Sequence, residues 1–264
     1  MSLALPSDPR LTGFLDRHLS PMNPGRSGEE YYRRYQIYVP NGYCSERSWP
    51  LILFLHGAGE GGEDGLLQTE FQLGSAIRRH ADLFQAVVVF PQQSRRCYWS
   101  RDDLNMVLQC LQQTCHDYRI DEERISLCGV SSGAIGAWTL ACLEPRRFHR
   151  LLIVSGLVGP SSFIPAEQGI VPVGIADPYA WLAQRLGHVP TWIFHGDYDP
   201  LYPIDDARRT VSCLRSTGAP VRYSEIPGFG HNVWDIAFYS EAVAGWLLGD
   251  DAQPASGTTG QQVS

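Results

Sequence analysis

A chain of 264 residues, 44% apolar and 19% charged, is long enough to bury a large core and has the composition of an ordinary globular protein. Its formal net charge of -7 opposes nucleic acid or an anionic membrane as a partner, and the pairs Arg33-Arg34, Arg78-Arg79 and Arg146-Arg147 read as solvated faces. No apolar stretch is long enough to cross a bilayer, and the start, MSLALPSDPRL, lacks the pattern of a secretory signal.

Seven cysteines (Cys44, Cys97, Cys110, Cys115, Cys128, Cys142 and Cys213) are an odd number without the paired spacing of a structural zinc site. They read as reduced thiols in a cytoplasmic protein. In chain order, residues 1–28 are rich in Pro, Ser and Gly and are expected to form an irregular lead-in. Tyr31 to Val39 has the aromatic and β-branched content of a strand, and Pro40-Asn41-Gly42 supplies a turn after it, so an early antiparallel strand is predicted.

Short, nearly unbroken apolar runs follow: LILFL (51–55), AVVVF (86–90), ISLC (125–128), LLIV (151–154) and TWIF (191–194). Strands buried on both faces of a parallel sheet have this composition. The clearest intervening helix has Asp102 or Asp103 as its cap, with Leu104, Val107, Leu108, Leu111 and Cys115 on one face. The alternation predicts an α/β fold: a mostly parallel central sheet with helices on both faces, spanning 29–248 as one domain. Residues 156–187 interrupt the rhythm with Gly and Pro and a short helical piece near 179–186, and are the candidate cap segment. The tail, 249–264, has too few apolar groups to offset its ordering entropy and is expected to be disordered.

The sharpest chemical signal is Gly129-Val130-Ser131-Ser132-Gly133, between the apolar RISLC and the helix-compatible AIGAWTLACL. Strand, tight turn and helix form the context of a nucleophile elbow, which makes Ser131 the candidate nucleophile. A serine hydroxyl needs a base to take its proton, and the base needs an orienting carboxylate. His231, in the glycine-flanked loop GFGHNVWD, is the candidate base. Two aspartates after TWIF compete for the third role: Asp199, deeper in the turn, is favoured, while Asp197 is expected to shape the loop and His195 to be structural. Charge that builds on a reacting carbonyl oxygen needs preorganised amides. The N–H of Ser132 is one candidate donor, and Ala58 or Gly57 in the loop HGAGEGG is the other. A phosphate cradle in that loop is disfavoured, because neither GxGxxG nor a Walker-type GK[ST] is present.

The blocks PLILFLHGAGEGGED, FPQQSRRCYW, RISLCGVSSGAIGAW, WIFHGDYDPLYP and VRYSEIPGFGHNVWD, in this order over about residues 31–248, resemble the phospholipase/carboxylesterase-like α/β hydrolases and their feruloyl esterase, dienelactone hydrolase and predicted peptidase relatives. The resemblance implies an α/β-hydrolase fold and a serine hydrolase that cleaves a carboxylic ester, or a related acyl bond, of a small molecule. It implies Ser131 as nucleophile, Asp199 as acid, His231 as base, and Ala58 with Ser132 as oxyanion donors. Peptidase, acyltransferase or cyclase chemistry by the same three residues, and a non-catalytic ligand-binding homologue, are the alternatives. The chain departs from the family pattern at Gly61, where an Arg is frequent, and at Ser132, where a Met is frequent. Gly57, Tyr98, Trp99 and Trp234 are candidates for the substrate pocket. The chemistry requires neither cofactor nor metal, and the sequence shows no HExxH-type cluster.

Overall fold

The computed structural model describes residues 11–19, 33–93, 98–162 and 164–250. Eight strands form one sheet: β1 (Gly13–Leu19), β2 (Arg33–Val39), β3 (Trp49–Leu55), β4 (Val87–Pro91), β5 (Ile120–Val130), β6 (Arg150–Val154), β7 (Thr191–Gly196) and β8 (Val221–Ile226). Their spatial order is β1-β2-β4-β3-β5-β6-β7-β8. β1 and β2 run antiparallel to their neighbours, and the other six strands are mutually parallel.

The apolar runs become the parallel strands because both of their faces meet helices. Along β3, Leu51, Leu53 and Leu55 enter one core and Ile52 and Phe54 the other, as the two-residue period of a strand requires. The first core is closed by α2 (Arg101–Asp117), α3 (Ser132–Leu143), α4 (Pro178–Leu186) and α5 (Ile204–Ser216), through Leu104, Val107, Trp138, Leu182 and Val211. The second is closed by α1 (Gln72–Arg79), α6 (Trp234–Phe238) and α7 (Glu241–Leu248), through Leu73, Ile77, Phe238, Val243 and Leu247. Each such fully buried aliphatic or aromatic side chain contributes roughly 1.5–3 kcal/mol.

Two sequence expectations are corrected. Residues 13–19 of the supposed lead-in form strand β1, paired with β2 from Gly13 opposite Val39 to Leu19 opposite Arg33. Its alternation is broken by Asp16 and Arg17, which an edge strand tolerates because one flank faces solvent. The cap of α2 is Ser100, not Asp102 or Asp103: Ser100 Oγ accepts from the Asp103 N–H at 3.2 Å, and Asp103 Oδ2 accepts from the Ser100 N–H at 3.0 Å. This reciprocal pair satisfies two amides that the helix itself leaves open.

Among its described residues, the expected cap segment 156–187 is irregular up to Asp177 except for a short 3-10 turn at Ala166–Gln168, and it carries α4, which Asp177 caps. Asp206 of α5 anchors its start by accepting from the Val158 N–H at 2.9 Å, the Gly159 N–H at 2.8 Å and the Tyr179 hydroxyl at 2.7 Å. Of the expected tail only Gly249 and Asp250 fall among the described residues, and Gly249 takes the left-handed conformation that ends α7. Six of the seven cysteines are described, all as free thiols; Cys97 lies outside the described residues. Among the described residues no helix is long and apolar enough to cross a membrane.

Candidate active site

Ligands of parallel sheets gather beyond the carboxyl ends of the strands. There the loops after β3, β5, β7 and β8 bring His56–Glu60, Ser131, Asp199 and His231 to one edge of the sheet.

Ser131 sits between β5 and α3 with φ 54 and ψ -120, a left-handed backbone that a non-glycine residue adopts at a cost. The turn is that tight because strand and helix touch through their backbones. A Cβ at Gly129 would lie 2.2 Å from the Gly133 carbonyl oxygen, and one at Gly133 would lie 2.1 Å from that of Leu55. Only glycine fits at either position.

His231 Nε2 lies 2.8 Å from Ser131 Oγ, and His231 Nδ1 lies 2.7 Å from Asp199 Oδ2. A carboxylate only accepts, so Nδ1 carries the imidazole proton and the bare Nε2 accepts from the serine hydroxyl. Asp199 is buried, which opposes its ionisation. Hydrogen bonds from His195 and His231 and from the N–H groups of Tyr202 (3.0 Å) and Leu201 (2.8 Å) outweigh burial and hold its carboxyl well below the usual carboxylate range. The carboxylate is therefore charged whenever the fold is intact at ordinary pH.

Asp197 faces another way. Its Oδ1 accepts from the Gly228 N–H at 2.8 Å and shapes the loop that carries the histidine. His195 is fully buried; its Nε2 donates to the Tyr202 carbonyl at 2.9 Å and lies 3.2 Å from Asp199 Oδ2. The end of β6 touches both partners of the serine–imidazole pair. Ser131 N–H donates to the Val154 carbonyl at 2.9 Å, and Ser155 Oγ donates to the His231 carbonyl at 2.7 Å. Ser155, with φ 50, is another non-glycine residue in the left-handed region.

Ser132 and Ala58 each open a helical turn, Ser132 as the first residue of α3 and Ala58 as that of the 3-10 turn Ala58–Glu60. First-turn amides have no partner within their own helix and are free to meet a ligand. Gly57 is buried beside Ser131: a Cβ there would be 3.8 Å from Ser131 Cβ. The loop is held from behind. His56 Nδ1 donates to the Gly57 carbonyl at 2.6 Å, and its Nε2 accepts from the Gln93 N–H at 3.1 Å. Burial lowers the pKa of His56 to about 4, outweighing the Gly57 carbonyl, so the ring is neutral.

The aromatic candidates divide. Trp234 stands edge-on to His231 with ring centres 5.9 Å apart and is half-buried, and Tyr98 is also half-buried. Trp99 is not a pocket wall: at 3% exposure it packs on Gly136, and its Nε1 donates to the His56 carbonyl at 3.1 Å, bracing the loop. An indole this large stays buried when its N–H finds such a partner. Sequence reasoning missed Tyr202, whose ring stands 5.1 Å from that of His231, and Ser155, which only its backbone angle and contact reveal. Beside α3, Ile135, Leu157, Ile164, Ile170 and Val171 line a cavity of about 340 Å³ under the cap segment. Among the described residues no cluster of His, Cys, Asp and Glu could hold a metal ion.

A mostly parallel sheet with a serine at the sharp turn between β5 and α3, followed in chain order by an aspartate after β7 and a histidine after β8 that are hydrogen-bonded in sequence to it, is an α/β-hydrolase fold. Residues 30–192 match the family model Esterase, described as "Putative esterase", and the chain belongs to that family. Among solved structures, it is similar to a thermostable esterase with 26% identity and a TM-score of 0.72, over 89% of this chain; it spans 62% of that structure's length. It also shares its fold with the fluorophosphonate-binding serine hydrolase F of Staphylococcus aureus (16% identity, TM-score 0.68, 90% of this chain and 99% of the other). A ferulic acid esterase has the same fold at 16% identity and a TM-score of 0.66, over 89% of this chain and 98% of the other. No curated protein matches the chain.

Proposed function

We propose that this protein is a serine hydrolase that cleaves carboxylic esters of small molecules through an acyl-enzyme. The observation that carries the reading is the unbroken hydrogen-bond sequence Ser131 Oγ to His231 Nε2 at 2.8 Å and His231 Nδ1 to Asp199 Oδ2 at 2.7 Å. Membership of the esterase family supports it.

Ser131 Oγ attacks the ester carbonyl carbon while His231 Nε2 takes its proton. The imidazolium formed is stabilised by the charged Asp199 and returns the proton to the departing alkoxide. Water then attacks the acyl-enzyme, His231 again takes a proton, and the carboxylic acid leaves as Ser131 recovers its hydrogen. The carbonyl oxygen, negative in each tetrahedral intermediate, is held by the N–H groups of Ser132 and Ala58. Removing one such donor typically costs about 100- to 1000-fold in turnover. The cavity next to Ile135, beneath the cap segment, suits an apolar part of the substrate, and the half-buried Trp234, edge-on to His231, suits a wall beside the reacting centre. Free thiols at six described cysteines suit a reducing, cytoplasmic setting.

The test is labelling with a fluorophosphonate, read by intact mass and peptide mapping. A single adduct on Ser131, lost in Ser131→Ala, is expected. Folded protein that takes no adduct would point instead to a non-catalytic ligand-binding role for the same fold.

A further inference from the structure

The cavity of about 340 Å³ beneath the cap segment is walled by branched and proline side chains. Ile135, Leu157 and Ile170 line it and are buried, whereas Val173 and Ile175 line it and are exposed, so its apolar wall runs from the core out to solvent. None of the described lining residues is charged, and Ser161 alone among them brings a side-chain hydroxyl. The carboxylates that frame the segment are turned elsewhere. Asp177 accepts from the Tyr179 and Ala180 N–H groups and pairs with Arg209, and Asp206 accepts from the Val158 and Gly159 N–H groups. An apolar cavity offers water few partners and favours a hydrocarbon occupant.

The elements that line the cavity also carry Ser131 and hold His231. Ile135 N–H donates to the Ser131 carbonyl at 3.2 Å, which sets Ile135 one helical turn from Ser131. Leu157 follows two positions after Ser155, whose hydroxyl donates to the His231 carbonyl at 2.7 Å. The segment is tied at its middle as well as at its start, since Gln168 Oε1 accepts from the Arg101 N–H at 3.1 Å.

We propose that this cavity seats a saturated hydrocarbon chain of the substrate, so that the preferred substrates are uncharged esters of medium chain length. This deepens the reading of Ser131 as nucleophile and rests on it. The volume is more than twice that of an apolar cavity of about 150 Å³ that holds benzene, which gives room for a chain of about six to eight carbons. A charged group on that chain would be buried against the apolar wall without a partner, at a cost the ester without it does not bear. The chain can belong to the acid or to the alcohol of the ester, and two substrate series separate these sources.

One series compares p-nitrophenyl acetate with p-nitrophenyl hexanoate, the other methyl acetate with hexyl acetate. With the wild-type protein kcat/KM is expected to rise by about tenfold or more from the shorter to the longer member of one series, which identifies the half of the ester that the cavity takes. In that series, an ester whose longer chain ends in a carboxylate instead of a methyl group is expected to lose the gain. Ile135→Trp fills the cavity from α3 and Ile164→Trp from the cap segment, and each is expected to lower the long-to-short ratio by about tenfold. Labelling with a short-chain fluorophosphonate checks that Ser131 is assembled in each variant. Ratios near one in both series, a carboxylate-ended ester that keeps the gain, or a ratio unchanged in both labelled variants overturns the proposed chain site and leaves the hydrolase reading standing. Labelling without hydrolysis of any member of either series overturns the substrate class alone. Neither hydrolysis nor labelling of the wild-type protein overturns both readings. Should the variants fail to fold, the wild-type ratios and the carboxylate-ended ester decide.

Discussion

His195 Nε2 lies 3.2 Å from Asp199 Oδ2, so the carboxylate that holds His231 is itself approached by a second, fully buried imidazole. With the amides of Leu201 and Tyr202 on its other oxygen, Asp199 has little freedom to turn away from His231.

Asp199→Asn therefore keeps the shape and reverses the polarity at one oxygen, leaving His231 in the wrong tautomer. Ester turnover is expected to fall by about 10⁴-fold, the effect typical of this change in a serine triad. Asp197→Asn loses only a loop contact to Gly228 and is expected to reduce turnover far less. Steady-state kinetics of the two variants decides between them, and equal losses would remove the distinction drawn between these aspartates.

Gly133→Ala would drive a methyl group to 2.1 Å from the Leu55 carbonyl oxygen and 2.4 Å from that of His56. Neither oxygen belongs to a flexible side chain, so β3 and α3 would have to part. A loss of stability of roughly 3 kcal/mol or more is expected, together with loss of turnover, both read from denaturant unfolding and kinetics. Wild-type stability in this variant would mean that strand and helix are less closely packed than the structure places them.

Acid is expected to weaken the fold through His56. Its pKa is about 4 in the folded protein, lowered by burial, and about 6.5 in an unfolded chain. Between those values the unfolded chain binds the extra proton, so stability falls as pH drops from 6.5 towards 4, by about 3 kcal/mol in all from this one ring. Chemical denaturation at pH 7 and pH 4.5 measures the loss, and His56→Asn should flatten the profile. An equally steep profile in that variant would assign the acid sensitivity to another group.

The parts legible in the sequence were those governed by a strict local pattern. Strands buried on both faces must be continuous apolar runs, and a serine at a sharp bend must have small neighbours, so β3 to β7 and Ser131 stood out. Asp199 was favoured over Asp197 only from its depth in a turn, and their different partners, His231 and Gly228, depend on how β7 and β8 lie side by side. β1 is not legible in the sequence because Asp16 and Arg17 interrupt an edge strand that needs only one apolar flank. Trp99 is not resolved by the sequence because an indole after a strand reads alike as a pocket wall and as a brace, and the His56 carbonyl that selects the brace is 43 positions away.

The adjoining residues Val154 and Ser155 hold the backbone of Ser131 on one side and that of His231 on the other. The serine and the imidazole thus share one mechanical reference point, and a shift of the sheet carries both in the same direction.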